Sequence, residues 1–389
     1  MTPLWLLTIP QADPLAQPTP TWLAWTLLLV TFLLHLVAMN VVLGGSIIAA
    51  VARTRGRAGH AASAQLAAWL AKLMPVFVAA AVSLGVAALL FLQVLYGRLF
   101  FASSVVMAVS WIGVVPLLIA AYYGTYLLSY RGDRGGALPL AVAWAVAVLL
   151  VVIAVVYVNN MSLMLRPDHV VALYQADGRG LQFDAGDAAI LPRLLHVLLG
   201  AVAVAGLVVA LVGVAYRRSA PETAAWVVRH GSTWCAAATL LNILPGFWWL
   251  FALPRPVLIG LMGSMFAIAL FAGVTTGLVT LGAVFTAGRT ARPDVPLWIA
   301  VGGMVLTLVA MVLTRDQLRT ASLAVAGFTP TAWVVPQWPA IGAFLALFAA
   351  ALATIGWMAW LLAAGRGRAA RADALSSPEE PRVDPRQAV

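Results

Sequence analysis

The chain has 389 residues, of which 63% are hydrophobic and 9% charged, with a formal net charge of +10, whereas a soluble domain carries about 25% charged residues. That composition, with a mean hydropathy of +0.98, excludes an ordinary soluble domain and predicts a polytopic membrane protein. The single cysteine, Cys235, excludes a disulfide framework, a cysteine-ligated zinc or iron–sulfur centre, and haem attachment through a two-cysteine motif, which leaves metal chemistry to His and Met.

Residues 1–20 carry Pro10, Pro14, Pro18 and Pro20 and have neither a basic n-region nor a small-residue cleavage site, so they read as an extracytoplasmic lead rather than a signal peptide. Nine apolar runs of bilayer-crossing length, about 20 residues each, follow at roughly 21–50, 68–96, 102–129, 137–162, 191–216, 226–250, 257–287, 295–314 and 339–364. The expected fold is all-α, a polytopic bundle of nine transmembrane helices over 21–364. Two outer connections are long, 163–190 and 315–338; the first holds Asp168, Asp177, Asp184 and Asp187 and is expected to form an outer cap. The stretch 365–389 is polar, charged and Pro-containing, which predicts a disordered cytoplasmic tail. No internal repeat is visible, which weakens an inverted-repeat transporter reading.

Most of the 23 Lys and Arg residues fall on one side of an alternating chain, among them Arg53, Arg55, Arg57, Lys72, Arg131, Arg217, Arg218, Arg229, Arg289 and Arg292. By the positive-inside rule this puts the N-terminus outside and the C-terminus inside a bacterial inner membrane. Basic residues in short loops between apolar runs are this topological signal, not a nucleic-acid surface. A phosphate-binding glycine loop, a Ser/His/Asp constellation and a metalloprotease helix motif are all missing. The 13 acidic residues fall outside the predicted spans or at their ends. A proton-driven carrier, which relays protons through buried ionisable groups, is therefore disfavoured.

Three of the five histidines, His60, His169 and His230, sit at polar boundaries. His35 and His196 lie inside apolar helices, 18 residues before Arg53 and 21 before Arg217. At about 1.5 Å per residue they stand roughly 27 and 32 Å from the inner face, both towards the outer side of a core about 30 Å thick. A neutral imidazole in a bundle is a good axial ligand for haem iron; the alternative is that both histidines only pack and bond to carbonyls. A thioether ligand could come from Met262 or Met265, predicted one helical turn apart at the start of the seventh span. Arg193, one turn outward of His196, stands where a haem propionate would emerge, and Arg315 and Arg319 form an i, i+4 pair at the outer end of the eighth span. Most of the 15 tryptophans, including Trp248 and Trp249, read as interfacial anchors.

These residues, in this order, resemble subunit I of the cytochrome bd quinol oxidases over most of the chain. His35 is followed by Gly44, the second span opens on Trp69 to Lys72 and continues "LGVA" at 84–87, and the fourth ends "VNNMSLMLRPD". The fifth span, "LPRLLHVLLGAVAVAG", is similar to the family's low-spin haem helix. The resemblance implies that His196 ligates low-spin haem b opposite a Met of the seventh helix, with Met262 and Met265 both available, and that His35 ligates a second haem. It also implies quinol as a substrate.

The departures are as informative. The third span, 102–129, has no acid, the eighth reads "MVLTRDQLR", and only 251–256 stands where the family has a long quinol-binding loop. The resemblance thus implies an electron-transfer subunit of a quinol-linked oxidoreductase, with haem b (roughly one to three per chain). It would exchange electrons with quinol and with a second membrane subunit or an extracytoplasmic cytochrome c. Two rival readings stay open: a bd-type quinol:oxygen oxidase subunit, and a haem-free membrane anchor or transporter.

Overall fold

A computed structural model describes residues 16–131, 136–265, 267–328 and 333–376, by backbone alone for 358–359 and 361–376. It is all-helical apart from one isolated parallel bridge, Gln17 to Val334. In chain order the helices are α1 (Thr21–Arg57), α2 (Ala61–Val106), α3 (Ala108–Arg131), α4 (Leu138–Leu163), α5 (Pro167–Ala176), α6 (Ile190–Ala215), α7 (Pro221–Ala252), α8 (Arg255–Met262), α9 (Ala267–Ala287), α10 (Asp294–Val325) and α11 (Trp338–Ser376). Nine of them, all but α5 and α8, are long and apolar enough to cross a membrane among the described residues. Helices suit that medium because every backbone N–H and C=O is satisfied within the segment.

Proline marks several starts, where its missing N–H costs nothing: α4, α5, α7 and α8 all carry Pro in the first two positions. The core lies where α1, α6, α7, α9 and α10 meet, with Val41, Val202, Leu207, Cys235, Val284 and Leu297 buried together. A second cluster joins α1, α2, α4 and α10 through Leu27, Phe91, Leu99, Met161 and Leu323. Large apolar side chains of α3 and α11, such as Ile112, Val115, Ile119, Leu347 and Trp357, point outward, as a multi-pass chain solvated by lipid requires.

Close approach of α1 and α6 depends on one residue. A Cβ on Gly44 would fall on the Ala201 carbonyl and the Val202 backbone nitrogen, so only glycine permits this contact. The crossing also fixes the histidines. His35 lies nine residues N-terminal of Gly44 and His196 five residues N-terminal of Ala201, roughly 14 and 8 Å along the helices. Both therefore stand on the same side of the crossing, about one turn apart in height.

The structure corrects three boundaries and the placement of one acid. The seventh span is not one helix: α8 ends at Met262 and α9 starts at Ala267. Gly263 and Ser264 interrupt it, with the Ser264 hydroxyl donating back to the Leu261 carbonyl. Met265 thus lies in the break, and the expectation that it shares a helical face with Met262 fails. The eighth span runs past 314 to Val325, because Asp316 and Arg319 pair inside the bundle and so do not stop the helix as solvated charges would. Asp316, expected at a helix end, is a buried carboxylate within α10. Finally, α11 continues beyond 365 to Ser376, in keeping with the helix propensity of its Ala- and Arg-rich sequence.

The connection 163–190 contains α5 and folds against the bundle, while Gln17 ties the lead to 333–335 through paired backbone hydrogen bonds. Residues 1–15 of the lead and 377–389 of the tail lie outside the described residues.

Candidate functional site

His35 projects from α1 towards α2. Its Nδ1 lies 2.8 Å from the Ala81 carbonyl, an acceptor only, so Nδ1 carries the proton and Nε2 keeps its lone pair. Metal-ligating histidines are held in this way by a second partner that fixes tautomer and ring orientation. The ring fits because α2 carries glycine opposite it: a Cβ on Gly85 would stand 2.9 Å from His35 Nδ1 and Cε1. That gives a physical reason for the glycine in the "LGVA" stretch.

His196 projects from α6 towards α7, again opposite a glycine, with a Gly246 Cβ position 3.1 Å from Nδ1. The ring is buried beside the Asn242 backbone carbonyl of α7, which serves as its hydrogen-bond acceptor at less than ideal geometry, and Asn242 Oδ1 on the same helix has no partner. The unpartnered Asn242 Oδ1 is a costly group in an apolar bundle, and it belongs to the residue whose backbone carbonyl faces the His196 ring. Trp249, expected to be an interfacial anchor, stacks on His196 at 6.3 Å with a 24° interplanar angle.

An arginine and an aromatic ring accompany each histidine. Arg193 lies 5.9 Å from the Trp249 ring and donates to Ser162 Oγ at 2.7 Å. Arg315 lies 4.2 Å over Phe32, whose ring is 6.4 Å from His35. Arg193, Arg315 and Arg319 are close enough to repel one another. Arg319 is answered by Asp316, which accepts from it at 2.9 Å and from Trp25 Nε1 at 2.7 Å. Three guanidiniums thus gather near the start of α6 and the C-terminal part of α10, with Asp316 and, from the 163–190 connection, Asp187 as the facing carboxylates. Such a cluster suits a dianionic ligand.

The two methionines differ. Met262 is half-buried at the end of α8, whereas Met265 is 77% exposed. Polar contacts from the "VNNMSLMLRPD" segment tie α4 to α2 and to the 163–190 cap. Ser103 donates to Asn160 Oδ1 at 2.9 Å, Asn160 donates to Ser104 at 3.1 Å, and the Asp184 backbone N–H donates to Asn159 Oδ1 at 3.1 Å. Asp184 is 1% exposed and accepts from Arg166 at 2.8 Å. Burial pushes its carboxyl above the usual range against the pull of Arg166 and His169.

At the other end, His60 caps α2 by accepting from the Ser63 N–H, and His230 accepts from Trp234 Nε1 at 2.9 Å, so both have structural partners. Sequence reasoning missed Asn242, Gly246, Phe32 and the Asp316–Arg319–Trp25 group. The only signal for Asn242 and Gly246 was a polar residue and a glycine one turn apart in an apolar helix. Among the described residues no three His, Cys, Asp or Glu side chains gather as a metal-ion site.

The class defined by these observations is a nine-span helical membrane bundle with two intramembrane histidines held opposite glycines. No family model matches the chain, and no curated protein matches it in sequence. Among solved structures it is similar to the bd oxidase from Geobacillus thermodenitrificans, with a TM-score of 0.67 at 13% identity, covering 91% of this chain and 99% of that one. At that identity the likeness speaks for the fold, which the two chains share over nearly their whole length.

Proposed function

We propose that the chain is a membrane cytochrome b subunit that transfers electrons between the quinone pool and an extracytoplasmic redox partner. The observation that carries this reading is His35, with Nδ1 bonded to a backbone carbonyl and the Nε2 lone pair left for a metal, together with His196, buried in the bundle beside the Asn242 backbone carbonyl. The fold shared with a bd oxidase chain supports it.

The residues present fit haem b. His196 would ligate one haem, with Met262 better shielded than Met265 as a second ligand, and His35 would ligate another. Arg193 and Arg315 would neutralise propionates, as paired anions require in a low-dielectric site. When bound, haem supplies a one-electron carrier. The chain's own part is to fix ring orientation through Ala81, to keep water away with Phe32 and Trp249, and to supply positive charge beside them. The orientation, N-terminus outside and C-terminus inside a bacterial inner membrane, rests on the arginine asymmetry. It makes the 163–190 cap the docking surface for a second membrane subunit or a cytochrome c.

The reading predicts that a short-chain quinol, added anaerobically to the purified, oxidised protein, reduces its haem. Haem that stays oxidised with quinol but is reduced by dithionite would remove the quinone pool from the proposal.

A second reading, a bd-type quinol:oxygen oxidase subunit, is favoured by one observation, the carboxylate of Asp316 buried in the eighth span. Both its oxygens are already bonded, to Trp25 and Arg319, which leaves it poorly placed to deliver protons. Carbon monoxide bound by the reduced protein, with quinol-driven oxygen uptake, would favour the oxidase; neither is expected.

A further inference from the structure

At the end of the bundle opposite the histidines lies a cavity of about 420 Å³ that the electron-transfer reading does not use. It sits where α6, α7 and α9 end or begin. Three guanidiniums line it from three separate segments: Arg217 after α6, Arg229 on α7 and Arg289 after α9. Their charge is poorly answered. Asp294 binds Arg217 with both carboxylate oxygens. Arg289 lies 3.4 Å over the Phe285 ring and reaches only the Phe285 carbonyl, at 3.3 Å. Arg229 has no ion pair among the described residues, whose salt bridges all lie on other side chains.

The rest of the wall is small and apolar, with Gly213, Ala224, Val228, Ala287 and Gly288. Phe285, 53% exposed, continues this apolar surface along α9 towards the middle of the span. A concave site with two guanidiniums that pair with no carboxylate among the described residues, Arg229 and Arg289, beside apolar surface matches a ligand with an anionic head and a hydrocarbon body.

We propose that this cavity binds the phosphate of an anionic phospholipid, with Arg229 and Arg289 as the recognising groups and Arg217 held beside them by Asp294. A free phosphate shares the head chemistry but would not use the apolar wall.

The test uses full-length protein, purified in detergent, stripped of lipid, and incubated with phosphatidylglycerol, phosphatidylcholine or inorganic phosphate. Native mass spectrometry reads the lipid retained, and thermal unfolding reads protection. Wild-type protein should keep one phosphatidylglycerol where phosphatidylcholine washes off. Arg229→Gln/Arg289→Gln should weaken retention by roughly twenty-five-fold, two arginines each worth about a factor of five near a headgroup. The same charge loss at exposed sites, Arg57→Gln/Arg131→Gln, should change it little, and Arg229→Lys/Arg289→Lys should keep most of it.

Equal retention of the two lipids, or equal losses in the cavity and control variants, would overturn the proposal. Protection by inorganic phosphate equal to that by phosphatidylglycerol would overturn the lipid as the ligand. If the Gln variant does not fold, the wild-type preference between lipids and the Lys variant decide the matter. None of these readouts depends on haem, so the proposal stands or falls apart from the electron-transfer reading.

Discussion

His196→Ala should abolish the low-spin component of the reduced-minus-oxidised haem spectrum while leaving the helical circular dichroism unchanged. The ring projects from α6 into space left by Gly246, and the one hydrogen bond it loses, to the Asn242 backbone carbonyl, is of poor geometry. Alanine is the best helix former, and the Asn242 carbonyl stays bonded within α7, so the fold should tolerate the change at a cost of about 1–2 kcal/mol of lost packing. Haem retention should suffer far more. Disturbing only a partner of a ligating histidine typically costs 10–100-fold in affinity, and here the ligand itself is lost. A variant with the wild-type low-spin band would show that His196 does not ligate iron. Asn242→Leu gives a graded companion, expected to keep the haem with a shifted spectrum.

Gly85→Val should act on His35 without touching it. The new Cβ would stand 2.9 Å from two ring atoms, closer than side chains pack, so the imidazole must turn and the Nδ1 bond to Ala81 must break. With the tautomer no longer fixed, haem held by Nε2 should be weakened by about 10–100-fold, and the low-spin signal from His196 should remain. His35→Ala should give the same spectrum. If both variants keep the full wild-type spectrum, His35 is a packing residue and the chain holds haem only on α6. If Gly85→Val loses haem and His35→Ala does not, the glycine serves helix packing instead.

The spans were legible because lipid imposes a simple rule, a long apolar run for each crossing, and Arg53, Arg217 and Arg289 marked where the runs stop. The histidines were legible for the same reason: a polar ring in an apolar helix stands out. What lay hidden depends on partners. A hydropathy window ended the eighth span at 314 because it treats Arg315, Asp316 and Arg319 as solvated, whereas Asp316 and Arg319 neutralise each other inside the bundle. The two methionines looked alike until Gly263 and Ser264 broke the helix between Met262 and Ala267 and left Met265 exposed. Gly85 and Gly246 acquire meaning only when α2 faces α1 and α7 faces α6, an arrangement that no single helix encodes. Trp249 had the composition of a membrane anchor, and its stacking on His196 follows from the fold.

The central claim, that this bundle binds haem b through His196 and His35, is tested most directly by a pyridine haemochrome assay on the purified full-length protein. It is read together with the dithionite-reduced minus oxidised spectrum. The account predicts haem b at roughly one to three per chain, with a low-spin component. Protein that is folded by circular dichroism and carries no haem, from cells that load other b-type cytochromes, would contradict it and leave a haem-free anchor or transporter as the better description.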